Sequence, residues 1–185
     1  MSSIAEDMKN AVVGTVKGTG EVGTALVEAV SDVATSVLEG VKDVGAEAIT
    51  LPAELVKAAF SALAEAGVTG FEATEHVVHG IVASLSKSVV DTEEGIESVA
   101  HTSIKVAHDA GADLGETAVS IVRGSIEGVK VAGGDVGGAT KAAVKGVIDG
   151  AGEVSEEAVQ TVADAVSSSV DGTKEIVHSV LSSKQ

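Results

Sequence analysis

Glycine recurs in this chain with a period of 22 residues, and that spacing constrains the fold more than any single motif does. Gly23, Gly45, Gly67, Gly111 and Gly133 share one column, Gly18, Gly40, Gly128, Gly150 and Gly172 a second, and Gly14, Gly80, Gly124 and Gly146 a third. Fourteen of the 22 glycines thus occupy three of 22 columns, so the repeat has to be read before any isolated signature. Two apolar columns keep the same period. One holds Val16, Leu38, Phe60, Val82, Ile104, Ile126, Ile148 and Val170; the other holds Ala34, Val56, Val78, Ala100, Val122, Val144 and Val166. They stand four residues apart across successive segments, and other apolar positions follow at three- and four-residue steps, the spacing of one helical stripe. Because 22 residues make six turns of about 3.67, the stripe stays nearly in line along a straight helix. The pattern predicts an all-α array of antiparallel helices, a bundle or solenoid, with residues 1–185 as one helical-repeat domain.

The period also places helix ends. Ser3 with Glu6, Thr69 with Glu72, Asp91 with Glu94 and Asp113 with Glu116 are capping boxes, in which an N-cap side chain and a carboxylate three residues on satisfy the first free N–H groups. Gly67, Gly111 and Gly133 stand just ahead of such positions, the order of a helix C-terminus followed by a new start. Pro52 suits the first turn of a helix. The spacing predicts about eight helices, near 3–21, 24–43, 50–66, 69–88, 91–110, 113–132, 135–152 and 155–183, most of them roughly 28 Å long. The other two glycine columns then fall inside helices, where each glycine costs about 0.5–1 kcal/mol relative to alanine. Gly124 with Gly128, and Gly146 with Gly150, form G-x-x-x-G steps on a face turned away from the Val/Ile stripe. Close approach of a neighbouring helix on that second face would offset the cost.

Composition narrows the function classes. There are two Phe, no Tyr, no Trp and two Met, so the core must be built from Val, Ala, Ile and Leu. The net charge is −16, with 28 acidic and 12 basic residues scattered singly, which excludes the clustered cations that nucleic acids and anionic membranes require. A positive mean hydropathy of +0.34 argues against a disordered chain. Cysteine is absent, and no basic-then-apolar leader or uncharged run of transmembrane length is seen. A soluble cytoplasmic protein is the expectation, export without a cleaved leader being the alternative.

Three stretches invite sharper readings. "KGTGEVG" at 17–23 contains a literal G-x-G-x-x-G at Gly18, Gly20 and Gly23. A dinucleotide turn must follow a buried strand, whereas "NAVVGTVK" before it has helical spacing, and Gly18 and Gly23 belong to the repeat columns. It reads as repeat punctuation, and no cofactor is expected. In "EATEHVVH" and "ESVAH", Glu72, Glu75, His76, His79, Glu97 and His101 are chemically able to ligate a metal. However, His76 and His79 are three residues apart, where a helical zinc pair wants four. Lys57, His79, His101, Arg123 and Lys145 share one column, so His79 and His101 read as basic rungs pairing with Glu75 and Glu97 four residues before them. No metal site is assigned. Nor is a catalytic one: no Ser, His and Asp stand on a strand-to-helix elbow, and the carboxylates read as caps and solvated faces, so an enzyme is not expected.

"EHVVHGIVASL" at 75–85 and "GTKEIV" at 172–177 resemble the 11-residue Lys-Thr-Lys-Glu-Gly-Val type of unit of synucleins and perilipins, and the 22-residue period is similar to that of exchangeable apolipoproteins. The resemblance implies amphipathic helices that coat a surface. The lysines that embrace headgroups in those families are here mostly Glu, Asp or Ser, which directs the implied coat toward a neutral lipid or storage-polymer surface. Two readings follow. One is a structural or scaffolding array acting through self-association or a protein partner; the other is a reversible coat on a neutral hydrophobic surface.

Overall fold

A computed structural model describes residues 4–19, 23–40, 50–68, 71–88 and 92–183. These residues form helices α1 (Ile4–Thr19), α2 (Thr24–Gly40), α3 (Leu51–Glu65), α4 (Phe71–Leu85), α5 (Thr92–Asp109), α6 (Leu114–Ala132), α7 (Val136–Val154), α8 (Glu156–Ser169) and α9 (Lys174–Ser182), with no strand among them. The all-α expectation is therefore met. Helices α5, α6 and α7 begin at Thr92, Leu114 and Val136, 22 residues apart.

Their ends follow local chemistry. The Asp113 carboxylate accepts from the Glu116 N–H at 2.9 Å and caps α6, and Asp135 accepts from the Gly137 N–H at 2.9 Å to cap α7. Gly67, Gly111 and Gly133 adopt φ of +72°, +72° and +75°, the left-handed conformation that ends a helix without a Cβ penalty. Pro52 lies in the first turn of α3, as expected. The expected caps at Ser3, Thr69 and Asp91 fall outside the described residues.

Two boundaries differ from the sequence reading. The turn between α7 and α8 needs no glycine: Ser155 alone is extended (φ −169°, ψ 164°), and its hydroxyl accepts from the Ala158 N–H at 3.0 Å. Gly152 consequently lies inside α7. The expected continuous helix over 155–183 is broken into α8 and α9, because Gly172 turns left-handed at φ +78°. The buried Thr173 hydroxyl fixes the break, lying 2.9 Å from the Val166 carbonyl and 2.8 Å from that of Val170. The Val166 carbonyl already accepts from the Val170 N–H at 3.0 Å, so the hydroxyl adds a side-chain bond to the last turn of α8. Gly172 thus serves as a turn, although it shares a column with the helical Gly128 and Gly150.

The helices stack in two layers. Odd-numbered helices pack on odd and even on even, α4 against α6 and α5 against α7 most closely, then α2 against α4 and α1 against α3. Between the layers lies the apolar stripe. Val56, Val78, Ala100, Val122, Val144 and Val166 are fully buried, as are Val82, Ile104 and Ile148, while Val16, Phe60 and Ile126 are half-buried at the margins. Burying each Val, Leu or Ile contributes about 1.5–3 kcal/mol, which many small contributors must supply in a core almost without aromatics.

Candidate functional site: glycine seams and a charged ladder

The closest helix contacts run through the internal glycines. A Cβ placed on Gly124 would stand 2.5 Å from the Glu75 carbonyl oxygen, and one on Gly128 2.8 Å from that of His79. In the other layer a Cβ on Gly146 would meet the Glu97 carbonyl at 2.5 Å, and one on Gly150 that of His101 at 2.8 Å. Each of these glycines faces the residue 49 positions earlier, so α4 and α6 run parallel in one register, and α5 and α7 in the same one. No side chain larger than hydrogen fits between the backbones there. Column membership alone does not guarantee such a contact: a Cβ on Gly14 or Gly40 would meet nothing within 4 Å. These lie on α1 and α2, which have no earlier helix of their layer to receive.

Seams this tight bring long side chains on either flank within reach across helices. His101 Nε2 lies 3.0 Å from Glu153 Oε1, Lys105 pairs with the other oxygen of Glu153, and Lys145 pairs with Glu97, all between α5 and α7. Lys9 of α1 reaches Glu65 of α3 at 2.6 Å, and Arg123 of α6 donates to the Ser169 carbonyl at the end of α8 at 2.9 Å. The sequence reading placed His101 with Glu97 along one helix. Instead Glu97 is taken by Lys145 and His101 turns to Glu153, each partner standing on the neighbouring helix. These pairs are largely exposed, so water screens them and they add little to stability. Bonding to Lys105 and His101 lowers the Glu153 carboxyl below its ordinary range, and bonding to Glu97 raises the Lys145 ammonium.

The candidate metal ligands are not gathered. Glu72, Glu75, His76 and His79 follow one another on α4, while Glu97 and His101 lie on α5 with the partners just named. Among the described residues no three His, Asp or Glu side chains stand close enough to hold an ion. His79 is half-buried beside the α4–α6 seam. Desolvation pushes its pKa below the ordinary 6.5, opposed by Glu127 of α6 and Glu75 and reinforced by His76. The folded state therefore favours neutral His79, and the unfolded chain takes up the proton first as pH falls through 6.5. Stability from this group is present above 6.5 and is lost progressively as pH falls toward the folded pKa. Thermal melts should accordingly show wild type losing more stability than His79→Gln between pH 7.5 and 5.5. An equal loss in both would show that His79 is not desolvated. At pH 7.5 the substitution should stay within about 0.5 kcal/mol of wild type.

Among the described residues no helix is long and apolar enough to cross a membrane. Compared with protein-family models and with curated proteins, the chain matches none.

Proposed function

We infer that the protein is a non-enzymatic structural or scaffolding array of stacked helices that acts through self-association or by holding a protein partner. The observation that carries this reading is the direction of the apolar stripe, whose Val and Ile residues are buried between the two helix layers. Among the described residues Val131, 65% exposed, and Val136, 37%, are the large apolar side chains left outside. A surface coat would have to turn that stripe outward, giving up about 1.5–3 kcal/mol for each residue exposed before any lipid contact offset it. Tightly seamed helices instead suit a rigid element that presents charged faces and helix ends to other molecules.

Sedimentation of the purified protein over a range of concentrations, with and without a neutral-lipid emulsion, tests the reading. Concentration-dependent growth into larger species and no flotation with the emulsion is the expected result. Flotation with the lipid, from a protein that otherwise stays monomeric, would favour the coat and defeat the scaffold.

A further inference from the structure

The seam between α6 and α8 is built differently from those of α4–α6 and α5–α7, and it leaves a groove. Its column positions on α8 are Ser168 and the turn residue Gly172, so no internal glycine of α8 draws the two helices together. They touch instead at Gly115, where a Cβ would stand 3.2 Å from that of Ala165. Beside that contact lies an opening of about 300 Å³, within the range of ligand sites, lined by Glu116, Val119, Ser120, Arg123 and Ser169.

Arg123 sets the chemistry of this groove. It is the only arginine of the chain and stands in the column that holds His101 in α5. His101 pairs with Glu153, 52 residues on. The residue 52 beyond Arg123 is again a glutamate, Glu175, but the break at Gly172 carries it into α9. One N–H of Arg123 donates to the Ser169 carbonyl at 2.9 Å, and among the described residues no carboxylate pairs with the rest of the guanidinium. Ser120 supplies a second unmet group. It is only 7% exposed and lines the groove, yet its hydroxyl has no hydrogen-bond partner among the described residues. A buried donor is costly to leave so. Glu116 is exposed at the other end of the groove and makes no ion pair among the described residues.

These three groups follow one another along α6, Ser120 four residues after Glu116 and three before Arg123, over about 10 Å. A guanidinium fork matches a carboxylate in two hydrogen bonds. A serine hydroxyl donates to a carbonyl, and Glu116 attracts an ammonium while repelling dianions such as phosphate. An extended peptide of about three residues spans the same length. We propose that the α6–α8 groove binds a short zwitterionic peptide of about three residues, its carboxylate on Arg123, a central carbonyl on Ser120 and its free ammonium at Glu116. Val119 and Ala165 are the apolar walls, and the closeness of the two helices at Gly115 favours a peptide with small side chains.

Titration of triglycine into isotope-labelled protein, followed through the backbone amide signals, tests the proposal. Saturable shifts are expected at Gly115, Ser120, Arg123 and Ser169, with His101 and Lys145 on the other layer unmoved. Amidating the carboxylate of the peptide should weaken binding about tenfold or more, and acetylating its amino group should do the same. The penalty for amidation should vanish in Arg123→Gln and that for acetylation in Glu116→Gln, which ties each end of the peptide to one residue whatever the variant does to stability. Ser120→Ala should weaken triglycine binding while the helical spectrum is kept. Equal binding of the blocked peptides would overturn the proposal. So would penalties that persist in the two Gln variants, or shifts spread over both layers of the array.

Discussion

Replacing Gly146 by leucine should abolish the cooperative fold, and replacing it by alanine should destabilise the protein despite alanine's better helix propensity. Two terms compete in the alanine variant. Helix propensity favours it by about 0.5–1 kcal/mol. Against that, its Cβ would stand 2.5 Å from the Glu97 carbonyl oxygen and 2.7 Å from the Ala100 Cβ, closer than either contact permits. The carbonyl belongs to the α5 backbone, so relief requires helices to part along a whole seam. Overpacking of this kind costs about 1–3 kcal/mol, enough to outweigh the gain. Gly124→Ala should behave alike, with 2.5 Å to the Glu75 carbonyl. Gly14→Ala, with open space around its Cβ, should stabilise by about 0.5–1 kcal/mol. Denaturant midpoints of the four variants separate these outcomes, and a stabilisation at Gly146 and Gly124 equal to that at Gly14 would mean the helices do not meet there.

A charge placed in the stripe should be as damaging as leucine in the seam. Val122 is fully buried in α6, so Val122→Asp puts a carboxylate among apolar side chains, and among the described residues no Lys, Arg or His is buried to meet it. The chain must either hold that group protonated or open the core to water, and both routes cost several kcal/mol, comparable to the whole stability of a domain this size. Val131→Asp introduces the same group nine residues later at a side chain 65% exposed, where a change within about 0.5 kcal/mol is expected. Circular dichroism melts of the two variants should therefore differ widely, and similar melts would show that the stripe is not internal.

Much of this architecture is legible in the residues. Asp113 and Glu116 announce the start of α6, Gly111 and Gly133 the turns that bracket it, and the Val122 column its inner face, because each depends on interactions within a few residues. The internal glycines signal close approach for the same reason: they cost helix stability unless something lies against them. What lies against them is not legible locally. That Gly146 seats on Glu97, in the second helix before it, follows from layer packing over 49 residues. The charge partners follow the same geometry, which is why His101 meets Glu153 and not the nearer-in-sequence Glu97. Gly172 shows the remaining ambiguity, since a glycine in a helical column and a glycine in a turn look alike until Thr173 is seen to close the end of α8.

Circular dichroism of the purified wild-type protein, heated in buffer without lipid or detergent, tests most directly whether the chain packs its stripe upon itself. The account predicts a strongly helical spectrum that is lost in one cooperative transition and is unchanged by a neutral-lipid emulsion. A coil-like spectrum that becomes helical only when the emulsion is added would contradict it.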